Sequence, residues 1–209
     1  MKAALAVRGP PARPARVRRG AKASGHAPAI DIMMDCPLWK ARRGVKAVLQ
    51  QAIAAAASLR RTSGGELAIV LTDDSAIRAL NRDWRGKDRA TNVLSFPAPL
   101  PARGERAGTG SARGKVGKRP SRLLGDIVIA YETVAREAEA ADKAFRHHLA
   151  HLAVHGFFHL LGHDHIAEAE AEAMEALEIA ALARLKVPNP YDLPSLRGAR
   201  SAHRPGGRT

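Results

Sequence analysis

The chain has 209 residues, of which 45% are apolar and 26% are charged, so it is long enough and apolar enough to form one globular domain. It contains no run of roughly 20 apolar residues, which excludes a membrane-spanning helix, and its single cysteine, Cys36, excludes an internal disulfide. The arginines near the start are not followed by the apolar stretch of a secretory signal. We therefore predict a cytoplasmic protein without a membrane partner.

The formal net charge of +14 is concentrated in three segments that are rich in Gly, Pro and Ala. Residues 1–27, 101–122 and 197–209 together carry +17, so the remainder of the chain nets −3. Such segments bury too little apolar surface to fold alone. We predict a disordered basic extension over 1–27, a basic loop over 101–122 and a disordered basic tail over 193–209, around a single domain at 28–192. Flexible basic segments favour phosphate backbones, but compositional drift in an arginine- and alanine-rich proteome explains them equally well.

Within this domain the hydrophobic pattern predicts strands early and helices late. The four predicted strands are 29–33, 66–71, 92–96 (stopped by Pro97) and 124–130. The first predicted helix is 37–59, and the second follows the capping residues 72–75 and runs to Trp84. The other three predicted helices are 133–141, 145–161 and 166–185. The two strands that flank the basic loop are predicted to form a long-looped hairpin. This order of elements favours an α+β fold, with helices packed on one mixed sheet.

The segment 155–165 contains three histidines with the spacing of a metal site. His155 and His159 are four residues apart, so on a helix both side chains project from one face, within reach of one ion. Gly162 favours the left-handed conformation that ends a helix, and the chain can then return His165 to the same ion. Three imidazoles leave a fourth position for water, which is the arrangement of a catalytic zinc site and not of a closed structural one.

The roles of the neighbouring polar residues stay open at this point. His147 and His151 continue the four-residue spacing, and isolated histidines with this spacing are more often ordinary surface or core residues than ligands. His151 shares the face of the predicted ligands and is a candidate for orienting one of them by hydrogen bonding. His148 and His163 lie off that face and are expected to be exposed to solvent. Asp164 either orients a ligand or caps the next helix, and capping is favoured.

The spacing H-x-x-x-H-x-x-G-x-x-H is also that of zinc peptidases of the metzincin type. Those enzymes carry a glutamate general base directly after the first histidine, whereas this chain has Gly156. Because glycine cannot deprotonate a bound water, peptidase chemistry is disfavoured. The spacing leaves the substrate open, and a zinc-bound water could also attack a phosphodiester. Such cleavage needs a cation for the developing charge, and the segment 84–97 offers Arg85, with Lys87 and Arg89 as point charges. The alternative is that this segment is a charged turn exposed to solvent, and composition alone favours that alternative.

Taken together, the two segments resemble the YbeY family of bacterial endoribonucleases, which are also described as ribosomal RNA maturation factors. The family pattern H-G-x-x-H-L-x-G-Y-D-H is found at 155–165, and the pattern R-G-x-D-x-x-T-[ND]-V-L-S-F-P is found at 85–97. The resemblance covers roughly residues 28–192. The chain departs from the family pattern at His163, where the family usually has tyrosine, but not at any predicted ligand.

The resemblance implies an α+β domain of about four strands and about five helices, with its metal site in a cleft on a helix of the C-terminal half. It implies zinc-dependent cleavage of single-stranded RNA, with one Zn²⁺ held by His155, His159 and His165 and with Arg85 as the catalytic residue that handles the phosphate. The expected role is maturation of the 3′ end of the small-subunit ribosomal RNA and ribosome quality control. The expected partners are ribosomal RNA and its precursors, the small ribosomal subunit and ribosome-associated proteins. The alternatives are a ribosome-assembly factor with mainly structural zinc and a metallopeptidase, which Gly156 disfavours.

Overall fold

The computed structural model describes residues 27–60, 64–99, 122–164 and 167–192, and these residues form four strands and six helices. The strands are β1 (Ala29–Met34), β2 (Glu66–Thr72), β3 (Val93–Pro97) and β4 (Leu123–Ala130). The helices are α1 (Pro37–Ala41), α2 (Val45–Arg60), α3 (Asp74–Arg85), α4 (Tyr131–Ala140), α5 (Phe145–Leu160) and α6 (Glu168–Arg184). The predicted α+β fold and its four strands are confirmed.

The single helix predicted over 37–59 is wrong, because the chain leaves the helical conformation between α1 and α2. Helix α1 ends at Arg42, whose backbone is extended, and Gly44, directly before α2, has φ of +79°, a left-handed conformation that glycine adopts without steric cost. The short helix α1 is fixed by Trp39, which is fully buried and donates from Nε1 to the carbonyl oxygen of Thr72 at 2.8 Å. The other four helices are confirmed to within about two residues at each end.

The four strands form one mixed sheet in the order β1-β2-β4-β3. Strands β1, β2 and β4 are parallel, while β3 lies at the edge and is antiparallel to β4, as the predicted hairpin requires. The basic loop between β3 and β4 lies almost entirely outside the described residues. Gly125 of β4 has φ of +135°, and a Cβ there would lie 2.2 Å from the carbonyl oxygen of Phe96 on β3. Only glycine therefore allows the two strands to approach each other at this point.

The two faces of the sheet bury unequal cores, because successive strand residues point to opposite faces. The larger core lies under α1, α2, α4, α5 and α6, and includes Ile127 of β4 and Phe157 of α5. The smaller core lies on the opposite face, where Ile77 of α3 packs against Leu94 and Val128. Helix α5 lies against β3 and β4 on the larger face, so the sheet supports the helix that carries the histidine motif. Among the described helices, none is both long and apolar enough to cross a membrane.

Candidate metal centre on helix α5

Helix α5 brings two of the three predicted metal ligands together. The rings of His155 and His159 lie one turn apart, with centroids separated by 4.6 Å and Nε2 atoms separated by 3.1 Å. The chain turns after α5 at Gly162, which has φ of +87°. The third predicted ligand, His165, lies outside the described residues. The structure thus assembles the helical half of the site, and metal binding by all three histidines stays a prediction.

The hydrogen bonds of the two rings determine which nitrogen of each ring carries the proton. Nδ1 of His159 lies 2.9 Å from the carbonyl oxygen of His163, which can only accept, so Nδ1 donates. Nδ1 of His155 lies 2.8 Å from Oε1 of Glu178 and donates to that carboxylate. In a neutral imidazole the other nitrogen is then an acceptor. Both Nε2 atoms consequently direct lone pairs toward the space between the rings.

This arrangement fits a zinc ion. Imidazole nitrogens bind zinc at about 2.0–2.1 Å, so two ligands of a tetrahedral site lie about 3.3 Å apart, close to the 3.1 Å between Nε2 of His155 and Nε2 of His159. Two acceptors at this separation are stabilised by a cation that both can bind. Within the described ranges, no three His, Cys, Asp or Glu side chains form a complete metal site. The third predicted ligand, His165, lies beyond those ranges.

Glu178 is the buried carboxylate behind this pair, and the sequence analysis missed it. Its side chain, on α6, is 1% exposed, and its Oε1 accepts from His155. Its Oε2 accepts from Nε2 of His151 at 2.8 Å and from the hydroxyl of Tyr191 at 2.5 Å. Burial alone would raise the pKa of Glu178, but these three hydrogen bonds outweigh burial and lower the pKa to about 2. Burial and the adjacent carboxylate raise the pKa of Tyr191, so its hydroxyl remains a donor.

The sequence does contain a signal for Glu178. Met174, Ala181 and Leu182 form the buried face of α6, and Glu178 lies on the same face, one turn from Met174 and one turn from Leu182. Glutamate is almost never fully buried unless it is paired, so a glutamate inside an apolar stripe indicates a carboxylate with partners. His151, which was predicted to orient a ligand by hydrogen bonding, bonds to Glu178, whose other oxygen accepts from the predicted ligand His155.

Three predictions about neighbouring residues are wrong. His148 is not exposed, because its side chain is only 13% accessible and its Nε2 lies 2.8 Å from Oε2 of Glu137 on α4. His163 is half-buried, since its ring packs edge-on against a phenylalanine of α5. Asp164 is not the N-cap residue of α6, because that position is held by Ala167.

Gly156 faces the sheet and not the predicted metal ligands. A Cβ at this position would lie 3.0 Å from Cγ2 of Ile127 and 3.1 Å from Oγ of Ser95. A glutamate side chain cannot be placed there unless β3 or β4 moves. The position therefore cannot present a general base to the histidine pair, which strengthens the sequence argument against a peptidase of the metzincin type.

The structure does not bring Arg85 to the histidine pair. Arg85 is the exposed last residue of α3, which packs on the opposite face of the sheet from α5. The neighbouring Trp84 is 44% exposed, and its ring packs edge-on against Phe96 of β3 with centroids 5.6 Å apart. The two predicted motifs meet at β3, which contacts α3 on one face and α5 on the other. The part that Arg85 takes in the reaction stays a prediction.

Comparison with known proteins shows which family the chain resembles in sequence. Residues 37–186 match the protein family described as Endoribonuclease YbeY. The endoribonuclease YbeY of Nitrobacter winogradskyi is 49% identical over 187 residues, which are 87% of this chain and 93% of the relative. The YbeY endoribonucleases of Rhodopseudomonas palustris strain BisA53 and of Bradyrhizobium diazoefficiens are each 48% identical over 166 residues, or 78% of this chain, and these residues cover 90% and 85% of the two relatives. The family match spans every element from α1 to α6 and so includes both predicted motifs.

Proposed function

The chain belongs to the YbeY family of endoribonucleases, and on that premise we propose that it cleaves RNA with a zinc ion held by His155, His159 and His165. The observation that carries this proposal is the pair of Nε2 acceptors that lie 3.1 Å apart on α5. Bound zinc supplies an activated water and polarises a phosphoryl oxygen, which phosphodiester hydrolysis requires. The chain's own contribution is to hold both rings in the tautomer that ligates, through Glu178 and through the carbonyl oxygen of His163.

The proposed substrate is single-stranded ribosomal RNA or its precursor, cut during maturation of the 3′ end of the small-subunit RNA. Quality control of ribosomes, contact with the small subunit and its associated proteins, and a cytoplasmic location are parts of the same proposal. The formal charge of +14 supports an RNA partner, because basic surfaces bind phosphate backbones by counterion release. The three basic segments of the sequence are candidates for contacts with RNA outside the cleavage site.

Arg85 is proposed to hold the phosphate that is cleaved or one next to it. With Lys87 and Arg89 it forms an exposed cationic group directly after α3, and its planar guanidinium can contact two phosphate oxygens at once. Strand β3 is the edge of the sheet and separates this group from α5. An extended RNA strand that crosses this edge reaches the cationic group and the histidine pair together.

The metal is tested with His159→Ala, measured for zinc content and for cleavage of a single-stranded RNA. We expect zinc and cleavage to be lost together, because the substitution removes one of two convergent acceptors. His147→Ala is the matched control, since His147 lies on the same helix and is not a predicted ligand; it should keep both properties. Full cleavage by zinc-free wild type would contradict the proposal. Retained ribosome binding and biological complementation by the zinc-free variant would favour an assembly factor with structural zinc.

Arg85 is tested separately. Arg85→Ala should keep zinc and cleave RNA about 10²- to 10³-fold more slowly, the usual effect of removing a group that stabilises transition-state charge. Lys46→Ala removes an exposed cation from α2 and controls for the change in net charge. Equal rates for Arg85→Ala and Lys46→Ala would remove Arg85 from the mechanism without affecting the assignment of the metal.

A further inference from the structure

We propose that Glu178 is the positioning residue of the metal site: its carboxylate bridges His151 and His155 and thereby holds His155 in the one tautomer that can bind a metal through Nε2. This inference rests on the proposed metal site, because it assigns the group that prepares one of the predicted ligands. Glu178 itself contacts neither metal nor substrate in this proposal.

The two carboxylate oxygens of Glu178 have different partners. Oε1 accepts from Nδ1 of His155 at 2.8 Å, and this bond fixes the proton on the nitrogen that points away from His159. Oε2 accepts from Nε2 of His151 at 2.8 Å and from the hydroxyl of Tyr191 at 2.5 Å. A carboxylate accepts at both oxygens, whereas an amide accepts at one and donates at the other. Only the carboxylate therefore satisfies all three donors without reversing a tautomer.

Burial makes this preference strong. The Glu178 side chain is 1% exposed, and a charged group removed from water is costly unless hydrogen bonds replace its hydration. If His155 moved its proton from Nδ1 to Nε2, two lone pairs would face each other at 2.8 Å and the buried charge would keep only two of its three donors. The negative charge behind the ring also makes Nε2 of His155 a stronger electron donor, as carboxylates do behind metal-bound histidines.

Tyr191 completes the arrangement from the segment that follows α6. Its ring packs edge-on against His151 with centroids 5.5 Å apart, and the preceding residue, Pro190, accepts a hydrogen bond from Nζ of Lys143 at 2.7 Å. These contacts hold Tyr191 against Oε2 of Glu178, so Tyr191 covers the carboxylate on the side away from His155. Tyr191 thus supports Glu178 through its hydroxyl.

A second histidine of α5 also bonds to a carboxylate from another helix, and this pair offers a matched control. Oε2 of Glu137, on α4, lies 2.8 Å from Nε2 of His148, which is the same kind of contact, but His148 is not a predicted ligand. Glu178→Gln and Glu137→Gln both replace a carboxylate that holds an α5 histidine with an amide of equal size. A purely structural role predicts similar effects of the two substitutions on stability and no specific effect on zinc.

The test measures the zinc dissociation constant by chelator competition, and the His155 tautomer by ¹H–¹⁵N spectra of the metal-free full chain at a pH where the imidazoles are neutral. For Glu178→Gln we expect about 10- to 100-fold weaker zinc binding, the usual effect of removing such a partner, and a population of His155 protonated at Nε2. Glu137→Gln should change neither quantity. If Glu178→Gln does not fold, Glu178→Asp keeps the charge but is too short to reach both histidines, and the same weakening is expected.

Two results would overturn the inference. One is a wild-type His155 that carries its proton on Nε2 in the metal-free protein, which needs no variant. The other is a folded Glu178→Gln protein with unchanged zinc affinity and unchanged tautomer. If the wild type binds no zinc at all, the proposed function fails, and the tautomer of His155 in wild type and Glu178→Gln still decides whether Glu178 positions that ring.

Discussion

The close contact between Gly156 and the sheet predicts that adding one methyl group destabilises the protein. In Gly156→Ala the new Cβ would lie 3.0 Å from Cγ2 and 3.3 Å from Cδ1 of Ile127, and 3.1 Å from Oγ of Ser95. Ile127 is fully buried in a central strand and cannot move aside easily, whereas the Ser95 hydroxyl can rotate. Overpacking of this kind costs about 1–3 kcal/mol. Alanine regains about 1 kcal/mol of helix propensity over glycine, so the net loss is about 1 kcal/mol.

A double-mutant cycle with Ile127→Ala isolates the contact. Ile127→Ala removes both atoms that oppose the new methyl group and alone costs about 2–5 kcal/mol. In that background Gly156→Ala should stabilise by about 1 kcal/mol, the propensity gain alone, which gives a coupling of about 2 kcal/mol. Urea unfolding of the four metal-free proteins, followed by far-ultraviolet circular dichroism, measures each free energy of unfolding, and an unchanged m-value shows that the denatured state is unaffected. The same change from Gly156→Ala in both backgrounds would refute the close contact.

Three further measurements test other features. Gly125→Ala, which forces a Cβ to 2.2 Å from the carbonyl oxygen of Phe96, should cost about 3 kcal/mol or more in urea unfolding; Gly86→Ala, left-handed but with open space around it, should cost about 1–2 kcal/mol, and equal costs would contradict the crowding at β3. Burial would raise the pKa of Glu137, but hydrogen bonds from His148 and Asn92 outweigh burial and lower it. The ionised Glu137 therefore contributes to stability above pH 4.5, and this contribution disappears as the pH falls through the pKa of the folded state. Glu137→Gln should therefore show a shallower decline of stability below pH 4.5 than wild type, and superimposable pH profiles would exclude this linkage. Removal of residues 1–27 should reduce the salt dependence of RNA binding by a log–log slope of about 0.7 for each phosphate that this segment neutralises, and an unchanged slope would show that it neutralises none.

The sequence predicts best what depends on neighbours along the chain. Strands alternate in hydrophobicity, and His155 and His159 lie one turn apart on any helix, so the strands and the spacing of the pair follow from local rules. The break at Gly44 is also local, but the apolar pattern continues through it on both sides and hides it. The order of strands and helices along the chain was enough to predict the α+β class, and the family resemblance implied the same fold.

Contacts between residues that are far apart in the sequence could not be predicted from local patterns. Glu178 lies 23 positions after His155, and only the packing of α6 against α5 shows that its carboxylate sets a tautomer. The burial of His148 depends in the same way on Glu137 of another helix. Arg85 is a different case, since its place near the active site is implied by the family resemblance alone, and its helix lies on the opposite face of the sheet from α5.

Helix α5 buries a broad apolar surface, and its histidines form one partly buried stripe beside that surface, so the direction of the stripe depends on the rotation of the helix about its own axis. Three contacts from different directions set that angle: the Glu137 carboxylate, the Glu178 carboxylate and the sheet beneath Gly156. A roll of about 20° would move an atom at the helix surface, about 6 Å from the axis, by about 2 Å. That distance is as long as a zinc–nitrogen bond. The two carboxylates and the sheet beneath Gly156 therefore hold α5 at one rotation, and with it the direction in which both imidazoles point.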